Sequence, residues 1–231
     1  MIYYDAHLHL VDKSVLKNAK NRGMETFFMN ARNQEEWGAV LSCASEFGGY
    51  ACLGVHPWFV EHLEEGWEEH LAQILKQNEN VMIGEVGLDR LHPAFDKQQK
   101  VFEKCLELAL TYHRAIHIHC VRAWDVMEHM LKGYLGVCLF HGFKGNEQIV
   151  KALPKSAYFS GNTLLKGVPE SRVLIESDAP DGLKNPAEIA ALAFFQKNET
   201  ILIQNMQMFL KQALPRKSLD KLGEITDNVP H

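Results

Sequence analysis

Residues 81–120, VMIGEVGLDRLHPAFDKQQKVFEKCLELALTYHRAIHIHC, decide the architecture. The apolar run at 81–86 reads as one strand and that at 115–119 as another. Between them, residues 96–113 (DKQQKVFEKCLELALTYH) place apolar side chains at spacings of three and four, the pattern of an amphipathic helix. The same alternation runs outward in both directions. Further strands are expected near 2–6, 25–29, 50–55, 137–141, 156–159 and 173–177, with helical patterns such as NQEEWGAVLSCASEF (33–47) and VEHLEEGWEEHLAQILKQN (60–78) between them. Two more helices, NPAEIAALAFFQKN (185–198) and TILIQNMQMFLKQAL (200–214), are expected after the last strand. Eight strands alternating with helices in 231 residues imply a (β/α)8 TIM barrel. A single barrel domain over 1–231 is expected, with a polar tail from about 215 to 231. One segment departs from the pattern. YFSGNTLLKGVPESRVLIESD (158–178) leaves room for only a loop or a helical turn, so the segment between strands seven and eight is shortened.

Composition narrows the classes. Hydrophobic residues at 46% and charged residues at 23% suit an ordinary globular protein. A formal net charge of −5 supplies no global basic field for a nucleic-acid coat protein, though it leaves room for a local basic site. Cys43, Cys52, Cys105, Cys120 and Cys138 are odd in number, scattered and free of any C-x-x-C pair, which suits reduced thiols and a cytoplasmic location. The opening MIYYDAHLHL lacks the charge and apolar core of a signal peptide, and no apolar run approaches membrane-spanning length. No membrane or obligate protein partner is expected. The unusual total is 12 histidines.

A TIM barrel carries its chemistry at the C-terminal ends of its strands. The first strand ends in His7 and His9, which share a face because side chains repeat every two residues. The third ends ACLGVHPW, with His56; the fourth ends in Glu85, with Asp89 just beyond. The fifth, sixth and eighth end at His119, His141 and Asp178. Taken singly, the histidines could be solvated, Glu85 could pair with a lysine, and Asp178 could cap a helix. Jointly, four histidines and two carboxylates on one rim are ligands for divalent ions such as zinc, manganese or magnesium. Six are too many for one tetrahedral ion and fit two ions bridged by a carboxylate. One layer deeper, Asp5 and Glu176 share faces with these residues and are candidates to orient them. His117 reads as a core histidine, and His62, His70, His92, His113, His129 and His231 carry no assigned chemistry.

The ordered motifs DAHLHL, GVHPW, IGEVGLD, IHC followed by VRA, FHGF with Gly145, and IESDAP resemble those of TatD-type metal-dependent hydrolases of the amidohydrolase superfamily. The resemblance runs from residue 3 to about 186. It implies a barrel with two metals: His7, His9, Glu85 and Asp178 at one, and Glu85, His119 and His141 at the other. It further implies hydrolysis of DNA ends with magnesium or manganese, zinc being common in related sites. Departures lie off the ligands: Gly142, Phe143, Lys144 and Gly145 replace the family's Cys-Phe-Ser-Gly, Ala115 and Ile116 replace Pro-Val, and the loop after Asp-Ala-Pro is cut to DGLKNP.

The function expected is therefore a two-metal deoxyribonuclease acting on single-stranded DNA ends. Asp178 and Glu85 are the catalytic carboxylates, with Asp178 as general base and His56 and Arg90 holding a phosphate oxygen or the leaving group. Arg90, Arg122, Lys144, Lys166 and Lys184 fall after strand ends and could hold a short strand, while Trp58 and Trp124 stack a base or pack on helices. The same ligands would also serve a superfamily hydrolase of a small amide, ester or lactone. A non-catalytic metal-binding scaffold leaves Asp178 without a purpose.

Overall fold

The structure, a computed structural model, describes residues 1–214. Eight strands form one sheet in sequential order, each paired parallel to the next: β1 (Tyr3–Leu8), β2 (Met24–Asn30), β3 (Tyr50–Leu53), β4 (Met82–Asp89), β5 (Ile116–Val121), β6 (Cys138–Phe140), β7 (Ala157–Gly161) and β8 (Val173–Ile175). Just past the ends of β1 and β8 the ring is stitched shut. The Asp178 N–H donates to the His7 carbonyl at 2.9 Å and the His9 N–H to the Ala179 carbonyl at 2.8 Å. The expected TIM barrel is thus present, nearly closed.

The helices are α1 (Lys13–Asn21), α2 (Trp37–Phe47), α3 (Trp67–Gln77), α4 (Phe95–Tyr112), α5 (Trp124–Met130), α6 (Glu147–Ala152) and α7 (Ala193–Ala213). Between β7 and β8 there is only a 3-10 turn at Glu170–Arg172, the shortened connection anticipated from the sequence. The two helices expected after β8 are a different pair of elements. Residues Pro186–Ala191 form a 3-10 turn, Leu192 is extended, and α7 then runs unbroken past Asn198. Within that helix the Asn198 side-chain amide donates to the Phe194 carbonyl one turn back, at 2.8 Å. The polar tail expected at 215–231 lies outside the described residues. All five cysteines are free, and among the described residues no helix is long and apolar enough to cross a membrane.

The barrel interior is divided by chemistry. Its lower half is apolar: Tyr4, Phe28, Met82, Leu139, Tyr158 and Leu174 pack with Met206 and Phe209 of α7. Phe209 is fully buried, and its ring lies 5.5 Å from Phe28 and 5.2 Å from Tyr158, in edge-on contacts. The Ala115 N–H, at the foot of β5, donates to the Ala213 carbonyl at 2.9 Å. The end of α7 therefore seals the N-terminal mouth. Above this floor the interior turns polar, with Asp5, His7, Asn30, Glu85, His117, Ser160 and Glu176 all buried. Polar groups so placed must satisfy one another or hold a ligand.

Truncating the floor tests this division. Phe209→Ala should lower unfolding free energy by about 3–5 kcal/mol, the usual cost of deleting a buried aromatic ring. Urea denaturation measures it, and a loss under about 1 kcal/mol would show that α7 does not close the barrel.

Candidate metal centre

Glu85 lies inside β4, and its side chain is 1% exposed. Its two oxygens face different histidines. Oε2 lies 3.3 Å from His7 Nε2 and 3.2 Å from His9 Nε2, with Asp178 Oδ1 beyond at 4.0 and 3.8 Å from those nitrogens. Oε1 lies 2.9 Å from His119 Nδ1, 2.7 Å from His141 Nε2 and 3.4 Å from His56 Nε2. The two sets are joined by the His7 and His141 rings, which stack with centroids 4.0 Å apart. The other five residues expected as ligands are thus gathered about the Glu85 carboxylate.

Hydrogen bonds decide which nitrogens carry lone pairs into this space. The Asn30 carbonyl can only accept, so the 2.9 Å contact puts the ring hydrogen of His9 on Nδ1 and leaves Nε2 bare toward Glu85. His56 is the opposite case. Its Nδ1 accepts the Trp58 backbone N–H at 3.2 Å, so in the neutral ring the hydrogen sits on Nε2. His56 lies close enough to Glu85 and His119 to complete a ligand triad, but with that hydrogen it enters the cluster as a donor. For His119, Asp89 Oδ2 stands 3.6 Å from Nε2, on the side away from Glu85. Several buried atoms have no hydrogen-bond partner: both ring nitrogens of His7, Glu85 Oε2, His119 Nε2 and His141 Nδ1. Each would cost about 1–3 kcal/mol if left unpaired. Cations between Glu85 and its imidazoles would satisfy the inward-facing ones, so the donor set fits divalent ions.

The electrostatics agree. Burial pushes Glu85 toward the neutral acid, but His141, His56 and His119 together outweigh it and hold the carboxyl well below its ordinary value. Burial keeps the His7 imidazole neutral, well below its usual range, as a metal ligand must be. For His141 burial acts in the same sense and is overcome by Glu85, which raises the ring to about 10. A cation there would compete with that proton. Asp178, three residues beyond β8, adopts a left-handed backbone (φ 52°), and burial raises its carboxyl above the ordinary value.

Asp5 and Glu176 support the centre from below. Asp5 accepts the backbone N–H of His7 at 3.2 Å and both the N–H and hydroxyl of Ser177. Glu176 accepts the Gly142 N–H at 2.7 Å and the Ser160 hydroxyl, which fixes the turn following His141. Burial pushes both carboxyls up to about 7. Asp89 is held by the Gln98 side chain, which pairs with its backbone, and by the Trp58 indole N–H at 2.7 Å. Trp58 is therefore neither packed on a helix nor free: it is half-exposed, bonded to Asp89 and stacked on His92 at 4.4 Å. Trp124 packs on Phe140 and Phe143. Arg90 is turned to Asp125 at 2.9 Å and lies over the Phe95 ring at 5.3 Å. His117 sits in the barrel beside Phe28 and Phe209, and burial lowers it to about 3. Asn30, Ser160 and Ser177 were not singled out from the sequence. Asn30 and Ser160 lie at or near the ends of β2 and β7, so extending the strand-end rule to neutral polar residues finds them.

A close approach of backbones also shapes the centre. A Cβ on Gly87 (φ 142°) would sit 2.0 Å from the His119 carbonyl, so a side chain there would force β5 and its histidine away from Glu85.

Comparison with known proteins adds the following. The family model described as TatD related DNase matches residues 4–228. An uncharacterized metal-dependent hydrolase of Escherichia coli, YjjV, is 28% identical, over 83% of this chain and 87% of its own. The 3'-5' ssDNA/RNA exonuclease TatD of Pectobacterium parmentieri is 26% identical, over 93% and 90% respectively. The crystal structure of the Escherichia coli TatD homologue YjjV superposes with a TM-score of 0.80 at 23% identity, covering 90% of this chain and 97% of that one, and so shares the fold.

Asp89→Asn removes the charge behind His119 while keeping the shape. Divalent-ion affinity, measured by calorimetric titration of metal-stripped protein, should fall by about 10–100-fold. An unchanged affinity would show that Asp89 does not orient a ligand.

Proposed function

The chain belongs to the TatD-related DNase family and is a metal-dependent hydrolase; from that premise we propose that it cleaves phosphodiester bonds at the ends of single-stranded DNA with two divalent ions. The observation that carries this reading is that each oxygen of Glu85 faces its own set of imidazole nitrogens. In this reading His7, His9, Asp178 and Glu85 would hold one ion, and His119, His141 and Glu85 the other. Magnesium or manganese suits the carboxylates, and zinc suits the imidazoles. Bound ions would supply the Lewis acidity that lowers the pKa of water and offsets charge on the phosphoryl oxygens.

The protein's own groups do the rest. Asp178 is 29% exposed at the open edge of the cluster, where substrate and water reach it. Burial has made its carboxylate more basic, and it accepts the proton of the attacking water. As the new P–O bond forms, the bond to the leaving oxygen breaks. The Nε2–H of His56, fixed in that tautomer by the Trp58 backbone, donates to a phosphoryl oxygen. Arg90 must first leave Asp125 to reach substrate, so it is not preorganised for the role expected of it. Relatives named as 3'-5' ssDNA/RNA exonucleases and as an RNA nuclease support a nucleic-acid end as substrate.

End-labelled single-stranded DNA and RNA test the proposal. Metal-stripped protein should be inactive, and magnesium or manganese should restore cleavage. Asp178→Asn should cut kcat by about 10²–10⁴-fold, the usual worth of a positioned base, with an unchanged thermal melt of the stripped protein. Near wild-type turnover in that variant would remove Asp178 from the mechanism. If folded, metal-loaded protein cleaves neither polymer, the phosphodiester reading fails, and hydrolysis of a small amide, ester or lactone takes its place.

A further inference from the structure

The loops on the rim above the metal centre are not alike. On the β1–β2 side, the Arg32 guanidinium bonds to the Asp181 carboxylate, tying the loop after β2 to the loop after β8 on either side of β1. The His56 N–H donates to the Arg32 carbonyl at 2.8 Å, which draws the loop after β3 into the same wall. Beside this clasp, and sharing Asp181 with it, lies a cavity of about 850 Å³ whose lining includes His119, His141 and Asp178. That volume falls in the range of ligand-binding clefts. Its lining comes from the ends of β5 and β7 and from the loops after β5, β6, β7 and β8, with none from the loops after β2, β3 or β4. The missing helix between β7 and β8 leaves Asn162 and Thr163 as its outer wall.

Two cations face this cavity, Arg122 after β5 and Lys144 after β6. Both are exposed, and neither forms an ion pair among the described residues. The carboxylates near them are engaged elsewhere: Asp181 by Arg32, and Glu176 by Gly142 and Ser160. Arg122 also holds a left-handed backbone (φ 49°), uncommon for a residue with a Cβ, two positions after Cys120 and three after His119. Of the other rim cations, Lys166 is exposed and unpaired among the described residues but does not line the cavity, and two are already committed. Arg90 is paired with Asp125, and Lys184 Nζ donates to the Pro180 carbonyl at 3.0 Å.

Building on the nucleic-acid reading above, we propose that a single strand leaves the metal centre over β5–β7, and that Arg122 and Lys144 hold its backbone phosphates there. Two unpaired cations beside a dication site suffice for a short strand, which explains how a chain of net charge −5 binds a polyanion without a basic groove. Phosphate contacts of this kind position a strand without reading its sequence.

The test compares wild type, Arg122→Ala, Lys144→Ala, the double variant and Lys104→Ala, which deletes an equal charge on α4 where Lys104 pairs with Glu107. The probe is a short fluorescein-labelled oligothymidylate. Binding to metal-stripped protein is read by anisotropy across a salt series, and cleavage by metal-loaded protein as kcat and KM. The double variant should raise Kd and KM about tenfold, and flatten the slope of log Kd against log salt by about 1.4, since each single-strand phosphate contact contributes about 0.7. KM should move far more than kcat, and Lys104→Ala should behave as wild type. Wild-type Kd and slope in the double variant, from protein whose parent cleaves the strand, would overturn the assigned path and leave the nuclease reading standing. Binding that depends on Arg122 and Lys144 without any cleavage would support the path and refute the hydrolysis. A wild-type protein that loads metal but neither binds nor cleaves single strands would overturn both.

Discussion

The Glu85 carboxylate is buried in the mouth of the barrel, and the rest of the site is arranged around that fact. A lone charge there would cost several kcal/mol in lost hydration. Five imidazoles, from β1, β5 and the ends of β3 and β6, answer it at 2.7–3.4 Å. The compensation works in both directions, since the carboxylate also gives those imidazoles a reason to be buried. What remains includes inward atoms with no hydrogen-bond partner, among them His7 Nε2 and Glu85 Oε2, which is the chemistry of a cation site. The tightness of β4 against β5 follows from the same need. Gly87 permits an approach that any side chain would block, and that approach sets His119 at 2.9 Å from Glu85.

Beneath this layer the barrel separates two kinds of work. The floor is apolar and plugged by α7, so it supplies stability through burial. The upper half is polar and held by buried hydrogen bonds: Ser177 to Asp5, Ser160 to Glu176, Gln98 to Asp89. Each supporting carboxylate is itself anchored before it touches a histidine or the turn beside one. This ordering keeps the geometry of the rim independent of substrate, which suits a site whose catalysis depends on preorganised charge. His117 stands at the boundary between the halves, neutral because burial, reinforced by His141, outweighs the attraction of Glu85.

Charge on the rim is distributed by pairing as much as by composition. Arg32 and Arg90 are neutralised by Asp181 and Asp125, so neither projects a free positive field into the mouth. A count of basic residues after strand ends treats Arg90 and Arg122 alike, whereas the folded protein ties one down and leaves the other beside the cavity.

Much of this was legible in the chain. Alternating strand and helix patterns determine a barrel because a parallel strand needs a crossover, and eight such units close on themselves. The strand-end rule then locates His7, His9, Glu85, His119, His141 and Asp178, since side-chain direction in a strand is set by a period of two. The short β7–β8 connection is visible as a lack of residues for a helix. After β8 the local pattern places a helix boundary at Asn198, whereas the folded chain breaks at the extended Leu192 and runs helical through Asn198. Local pattern was silent on contacts between distant residues. Asp5 meets Ser177 across 172 positions, and Arg32 meets Asp181 across 149. The tautomer of His56, the anchoring of Trp58 to Asp89 and the lining of the rim cavity likewise depend on which loops become neighbours. Periodicity in one strand fixes where a side chain points, but its partner is chosen only when the barrel closes and brings the ends of eight strands within bonding distance.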